Sequence, residues 1–339
     1  MPTDTDNNLR QYCARLEGMA AGQDVFLYVT GLQQYSFELW RKICGILSDL
    51  FKLTGFPLDY VDLELFLGKY EVTPGGIHRD RATTFHSVVF GQKSMLIWSQ
   101  PELFPLEWSK EDCTIPAFQK LDYRQYLDIA TVVEAGPGST IYWAPDHWHC
   151  GSSKTFSVVL NVAINFGGRP LEFLFDGLSS SLNGPELERI ALDECVGTGT
   201  LPSQLRAAAE TLTRLPFESW VFESAEDHWL KRLTGCGFRQ RPALRPPVVP
   251  INATVISRAD SFPIFYYKRS SGYSVATAGH VWREVSDSFD VVKCVDMINS
   301  GATHELASYF AFCSPNPTSR LELTRFFQQL NAIGAVEFG

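Results

Sequence analysis

The chain has 339 residues, of which 45% are apolar and 20% charged, as in an ordinary globular protein. At this length it can bury a large core without disulfides or structural metals. Its 38 acidic residues outnumber the 29 basic ones, and the net charge of −9 argues against general binding to nucleic acid or an anionic membrane. Eight scattered cysteines, a polar acidic N-terminus and no apolar run of membrane-spanning length predict a reduced, cytoplasmic protein.

The first half of the chain is predicted to contain two helices and many short strands. Residues 1–20 are polar with a helical pattern, and residues 36–51 have the apolar spacing of an amphipathic helix. Apolar stretches predict strands at 23–31, 60–70, 83–90, 93–99, 131–134, 139–143 and 156–166. Short strands broken by Gly and Pro are typical of a double-sheet jelly roll of the cupin type. Residues 101–126 are too long for a plain hairpin, so we interpret them as a lid or substrate loop.

From about Pro170 the sequence pattern changes to that of helices. Helical periodicity is found at 185–195, 202–214 and 225–233. The proline-rich residues 239–250 predict a semi-rigid linker. Beyond it, the sequence predicts short strands or a hairpin at 255–273. Three helices are predicted to follow, at 289–298, 304–312 and 320–333.

The predicted fold class is therefore mainly β plus α, in three parts. Residues 1–172 form a double-stranded β-helix core of the cupin or jelly-roll type with N-terminal helices. Residues 173–245 form a helical segment. Residues 246–339 form a C-terminal module with the layout of a winged helix.

A pair of metal-ligand residues follows a glycine turn. His78 and Asp80 lie two residues apart, and on a strand they would point to the same face. Gly75 and Gly76 allow the backbone to approach closely, and a second cluster, PDHWH, lies at 145–149. Two imidazoles and one carboxylate make the 2-His-1-carboxylate triad, which occupies one face of Fe(II) and leaves the other open. The two clusters therefore predict an iron site.

The third ligand is either His147 or His149. Both point to the same face if the segment is extended, so periodicity does not choose between them. We favour His149, because it lies closer to the next strand and follows Trp148. His86 has an even offset from Asp80 and is predicted to point into the barrel, as a substrate contact or as a satisfied core histidine.

The motifs resemble those of the JmjC and cupin-like Fe(II)/2-oxoglutarate oxygenases over about 63–166. The family pattern is HxD, then Gly-x-Lys before an aromatic-rich strand, then a Gly, Pro, Trp and His series, and last a strand with an Asn. The residues that match are His78, Asp80, Gly91, Lys93, Trp98, Gly138, Pro145, Trp148, His149 and Asn161. The resemblance implies that His78, Asp80 and His149 are the metal ligands and the catalytic centre.

The resemblance to the asparaginyl-hydroxylase branch also implies a cosubstrate site. Lys93 falls where that branch binds the distal carboxylate of 2-oxoglutarate, and Thr84 and Asn161 fall where it places polar residues near the cosubstrate. The chemistry agrees, since a dicarboxylate that chelates iron at one end needs a cation at the other. The Gly91-Gln92 turn resets the strand alternation, so Lys93 can point inward. A lysine inside an apolar barrel is costly unless an anion pairs with it.

The implied activity is that of a 2-oxoglutarate-dependent dioxygenase that uses Fe(II) and O2. Its expected substrate is an unactivated C–H of a peptide or protein side chain. The layout after Pro170 resembles the ribosomal-oxygenase branch, which implies that residues 173–245 are a dimerisation segment and that the protein forms a homodimer. Two alternatives are an oxygenase of a free amino acid or natural-product intermediate, and a cupin that binds metal without catalysis.

Overall fold

The computed structural model describes residues 3–4, 6–99, 122–145, 147–181, 210, 217–242, 246, 254–259, 263–269, 272–285, 287–314 and 316–339. The chain divides into two compact units, Met1–Gly167 with Phe238–Ala243 and Gly168–Gly237 with Leu244–Gly339. Helices are combined with antiparallel sheets throughout the described ranges, which confirms the predicted mixture of β and α structure. No helix in these ranges has both the length and the apolar character needed to cross a bilayer.

Two α-helices precede the main sheets of the first unit. Helix α1, Leu9–Ala20, begins after Asn8, whose side chain accepts a hydrogen bond from the Gln11 N–H. Helix α2, Phe37–Thr54, begins after Ser36, whose hydroxyl accepts from the Leu39 N–H at 3.2 Å. Both caps satisfy a backbone donor that a helix start leaves without a partner. Short 3-10 helices are at Leu32–Gln34 and Tyr123–Ile129.

The strands of the first unit form two antiparallel sheets that share one long strand. They are β1 Val25–Val29, β2 Val61–Tyr70, β3 Thr83–Phe90, β4 Lys93–Trp98, β5 Thr131–Ala135, β6 Thr140–Trp143 and β7 Trp148–Ile164. One sheet has the order β1-β2-β7-β3-β6 and uses the C-terminal part of β7. The other consists of β5, β4 and the residues of β7 from Trp148 to Ser152. The two sheets therefore meet within β7, at Ser152 and Ser153.

Strand β2 places its apolar side on α1 and its polar side towards a cavity. Leu65 and Leu67 belong to a cluster with Tyr12 and Cys13 of α1 and Phe156 of β7. Side chains alternate across a strand, so Asp62, Glu64 and Phe66 face the opposite way and line the cavity. An inner surface with carboxylates is the reverse of the usual apolar-inward arrangement.

The second unit contains the remaining helices and two small antiparallel sheets. Its helices are α3 Pro170–Ser181, α4 Phe217–Thr234, α5 Val291–Asn299, α6 Leu306–Cys313 and α7 Pro317–Ala332. Its strands are β8 Val255–Arg258, β9 Phe265–Arg269, β10 Gly272–Thr277, β11 His280–Val285, β12 His304–Glu305 and β13 Val336–Phe338. They pair in the orders β11-β10-β9 and β12-β8-β13.

Three local expectations were wrong. The strand expected from residue 156 begins at Trp148, and the helix expected from residue 304 begins at Leu306, after the short strand β12. His78 and Asp80 do not share a regular strand, since only His78 makes a β-bridge. Residues 101–121 of the predicted loop at 101–126 lie outside the described residues. The helices predicted at 185–195 and 202–214 also lie outside them, apart from residue 210. The three-part division and the winged-helix assignment stay predictions.

Candidate metal centre and its cavity

Backbone hydrogen bonds hold the two histidine segments together. The His78 N–H donates to the His149 carbonyl at 3.0 Å, and the His149 N–H donates to the His78 carbonyl at 2.7 Å. This reciprocal pair is an antiparallel bridge between the loop before β3 and the second residue of β7. The imidazole centroids lie 4.3 Å apart as a result. The fold thus brings the two sequence clusters to one place.

Each imidazole presents its Nε2 atom to the carboxylate of Asp80. The His149 Nε2 lies 3.5 Å and the His78 Nε2 4.0 Å from Asp80 Oδ2. All three ligand atoms lie within 4.8 Å of one another. The Nδ1 atoms face the carbonyls of Gly76, at 3.0 Å, and His147, at 3.1 Å. A carbonyl only accepts, so each Nδ1 donates, and each neutral ring keeps a free lone pair on Nε2, as metal-binding histidines do.

The electrostatics of the cluster suit a cation. Burial lowers the pKa of His78, and the neighbouring His149 lowers it further, so this ring is neutral at neutral pH. Burial alone would raise the pKa of Asp80, but His149 when protonated, through a hydrogen bond and its charge, and His78 when protonated, through its charge, hold that pKa well below its usual range. The cluster therefore offers two imidazole nitrogens and one ionised oxygen.

The cluster lies in a cavity of about 720 Å³ within the first unit. Trp143 lines it beside the ligands, with its ring 4.8 Å from that of His149. The other lining residues include Tyr28, Glu64, His86, Lys93 and Asn161. A cavity of this size can enclose a small organic ligand.

Lys93 is a buried cation in this cavity. It is the first residue of β4, and only 1% of its surface is exposed. Its Nζ donates to the Tyr70 hydroxyl at 2.6 Å, and no acidic side chain among the described residues forms an ion pair with it. Burial lowers the pKa of Lys93 to about 7. A side-chain carbon added at Gly151 would lie 2.8 Å from Nζ, so this glycine makes room for the amine.

A row of polar side chains crosses four strands on the cavity wall. The Tyr28 hydroxyl donates to Glu64 Oε1, and Asn161 Nδ2 donates to Glu64 Oε2 at 2.6 Å. His86 Nδ1 lies 2.9 Å from Asn161 Oδ1, to which it donates. His86 is 3% exposed, and its Nε2 has no hydrogen-bond partner. Burial and the charge of Lys93 lower the pKa of His86 to about 3, so the ring is neutral.

The structure distinguishes between the two candidates for the third metal ligand. His149 lies in the cluster, whereas His147 is outside it and its Nδ1 lies 3.4 Å from the Pro145 carbonyl. Asn161 and His86 line the cavity, and for His86 this is the inward face that its even offset from Asp80 predicted. Thr84 is buried but is not among the lining residues, and its hydroxyl lies 3.5 Å from the Ala82 carbonyl.

Sequence reasoning did not single out Tyr70, Glu64 or Tyr28. Glu64 carried a usable signal, since an acidic residue surrounded by apolar ones in a strand must face water, a partner or a ligand. Tyr70 carried none, because its contact with Lys93 depends on how β2 and β4 meet in space.

No family model matches the chain, and no curated protein matches it. An X-ray structure of E. coli YcfD aligns over 100% of this chain and 82% of that chain, at 15% identity and a TM-score of 0.49. A second structure shows YcfD, described as a ribosomal oxygenase from Escherichia coli, in complex with cobalt and 2-oxoglutarate. It aligns over 88% of this chain and 75% of that chain, at 13% identity and a TM-score of 0.42. A cupin superfamily protein from Desulfitobacterium hafniense covers 31% of this chain and 68% of that chain, at 10% identity and a TM-score of 0.20.

The residues suited to binding a metal and an anion lie together in the first unit of the chain. Those residues combine a His-Asp-His cluster suited to a divalent metal with a buried lysine in the same cavity.

Proposed function

We propose that the protein is an Fe(II)- and 2-oxoglutarate-dependent dioxygenase that hydroxylates an unactivated C–H of a peptide or protein side chain. One observation carries this proposal. A cluster of two imidazoles and one ionised carboxylate shares its cavity with Lys93, a buried amine that has no acidic partner among the described residues. The first feature suits a divalent metal, and the second suits the far end of an anion that the metal binds.

His78, Asp80 and His149 would hold the iron. Two nitrogen donors and one oxygen donor suit Fe(II), and three protein ligands leave other coordination positions for small molecules. When bound, the iron would supply the redox chemistry with O2 that protein side chains lack. The Gly76 and His147 carbonyls keep the imidazoles in the tautomer that can bind metal.

Lys93 would bind the distal carboxylate of the cosubstrate, with its amine held in place by Tyr70. The amine donates hydrogen bonds as a cation, and the Tyr70 hydroxyl 2.6 Å away fixes its position. Asn161 lines the cavity, but its amide already bonds Glu64 and His86, so we assign it a positioning role through His86. Contact between Thr84 and the cosubstrate is kept as a prediction.

We interpret the two sheets that share β7 as the double-stranded β-helix expected from the sequence. Its cavity of about 720 Å³ leaves room for a side chain beside a five-carbon cosubstrate. A peptide or protein substrate therefore fits, and a free amino acid is the alternative that an assay must exclude. A cytoplasmic location, a homodimer and a dimerisation role for residues 173–245 are further proposals.

The direct test is oxygen-dependent conversion of 2-oxoglutarate to succinate by the purified protein with Fe(II). We expect succinate from the wild type, none from Asp80→Ala, and a much higher cosubstrate requirement for Lys93→Met with metal binding kept. A peptide library and free amino acids, screened by mass spectrometry for the gain of one oxygen, identify the substrate class. Metal binding without any succinate would leave a non-catalytic cupin and overturn the proposal.

A further inference from the structure

The polar row ends in a nitrogen that the fold leaves without a partner. Each bond in the row has a fixed direction, because a carboxylate only accepts and therefore sets the orientation of Asn161. Asn161 presents its oxygen to His86 Nδ1, which must donate. The remaining lone pair on His86 Nε2 is buried in the cavity without a hydrogen bond. A buried polar atom without a partner is costly, and a bound ligand can supply the partner.

His86 lies near the path that a metal-bound dicarboxylate would take. The charge of Lys93 on β4 acts on it, as does that of His149 on β7 when that ring is protonated, and these two residues lie at the two ends of that path. Its ring also lies 5.6 Å from Trp143 of β6 and 5.3 Å from Phe66 of β2. Glu64 of β2 is connected to it through Asn161. Among the described residues, Lys93, His149 and Glu64 are the charged or titratable groups that face or connect to His86 from the strands packed around it.

We propose that His86 is a second anchoring residue for the dicarboxylate cosubstrate, and that it takes up a proton from solvent as the anion binds. The protonated ring then donates from Nε2 to a carboxylate oxygen and from Nδ1 to Asn161. This inference rests on the proposed function, since it presumes that a dicarboxylate occupies the cavity.

Proton uptake follows from the chemistry of the two partners. A neutral ring with Nδ1 committed to Asn161 offers only a lone pair, and a lone pair repels a carboxylate. The ligand's negative charge favours the imidazolium form, which offers a donor instead. Glu64 also favours the imidazolium form of His86. Its carboxylate accepts a hydrogen bond from the Asn161 amide, whose oxygen faces the His86 ring. No cation among the described residues is paired with Glu64. Burial raises the pKa of this carboxyl, and the hydrogen bonds from Tyr28 and Asn161 lower it.

The experiment is calorimetric titration of 2-oxoglutarate into the Zn(II)-loaded protein at pH 6, in buffers of different ionisation enthalpy. Zinc prevents turnover, and the dependence of the heat on the buffer counts the protons taken up. Lys93, with a pKa of about 7, is already mostly protonated at pH 6, whereas His86, with a pKa of about 3, is not. We expect an uptake of about one proton in the wild type.

Three variants isolate His86. His86→Phe should take up almost no proton and bind 2-oxoglutarate roughly 10- to 100-fold more weakly, the effect of losing a hydrogen bond to a charged group. His86→Gln can donate an amide N–H without a proton from solvent, so it should recover part of the affinity with no uptake. His304→Phe, which removes an imidazole from the second unit, should match the wild type.

A measurement on the unsubstituted protein avoids any folding defect. ¹⁵N NMR of histidine-labelled protein should show one imidazole become an imidazolium when 2-oxoglutarate is added, with that signal absent in His86→Gln. Binding without proton uptake, and with the same affinity in His86→Phe, would overturn the inference while leaving the proposed function intact. No binding of 2-oxoglutarate, even at millimolar concentration, would overturn both.

Discussion

The buried Lys93 should lower the stability of the folded protein, and the stability of Lys93→Met should show by how much. Burial lowers the pKa of Lys93 from 10.5 to about 7 without an acidic partner to offset the cost. Each factor of ten in proton affinity corresponds to about 1.4 kcal/mol, so the folded state loses roughly 5 kcal/mol at pH 6. Methionine fills a similar volume without a charge, and it forgoes only the bond to Tyr70, about 1 kcal/mol. We therefore expect Lys93→Met to be more stable by roughly 4 kcal/mol at pH 6.

The stability of the wild type should change with pH in a direction that the lowered pKa of Lys93 determines. The folded state binds the Lys93 proton more weakly than the unfolded state, so below pH 7 the amine is charged in both states and the cost is complete. Between pH 7 and 10.5 the folded amine is neutral, and the wild type gains stability as pH rises. The advantage of Lys93→Met should therefore fall by about 1.4 kcal/mol for each pH unit above 7.

Urea unfolding at pH 6 and pH 9, without metal or cosubstrate, measures both effects. Lys154→Met is the matched control, because Lys154 is exposed on β7, and its substitution should change stability by less than about 0.5 kcal/mol at either pH. Lys93→Met should also lose affinity for 2-oxoglutarate. Equal stability of the two proteins at pH 6, or a difference that does not change with pH, would refute the reasoning.

Four further substitutions test the geometry of the site. Tyr70→Phe should weaken 2-oxoglutarate binding roughly 2- to 10-fold with metal affinity unchanged, because only the hydrogen bond to Lys93 is lost; an unchanged cosubstrate Kd would contradict this. Gly151→Ala should displace the Lys93 amine and cost roughly 1–3 kcal/mol of cosubstrate binding, measured by calorimetry against the wild type. His149→Ala should abolish Co(II) absorption while His147→Ala keeps it, and the reverse outcome would exchange their assignments.

Much of the site could be predicted from local sequence. The HxD pair, the position of Lys93 after a Gly-containing turn and the inward face of His86 all depend on spacing along one segment, and the structure places these residues around one cavity. The choice between His147 and His149 could not be made this way. It depends on β7 starting at Trp148 and on the backbone bridge to His78, which joins segments far apart in the chain.

Other features depended on tertiary packing that the pattern does not encode. The alternation in β2 predicted a strand, but it does not say which face meets the interior. Leu65 and Leu67 pack on α1, which leaves Asp62 and Glu64 to line the cavity. His78 and Asp80 converge without the regular strand that the i, i+2 argument assumed, because the bridge to β7 orients the segment instead. The hydrogen-bonded row from Tyr28 to His86 likewise exists only once β1, β2, β7 and β3 are paired.

The central claim is that three side chains from two distant segments bind one divalent ion. Anaerobic titration with Fe(II) or Co(II), followed by calorimetry, tests it in the wild type and in His78→Ala, Asp80→Ala and His149→Ala. We expect one ion per chain in the wild type and a loss of at least about 100-fold in affinity in each variant, since each removes a direct ligand. Wild-type affinity in Asp80→Ala, or no metal uptake by the unsubstituted protein, would contradict the assignment.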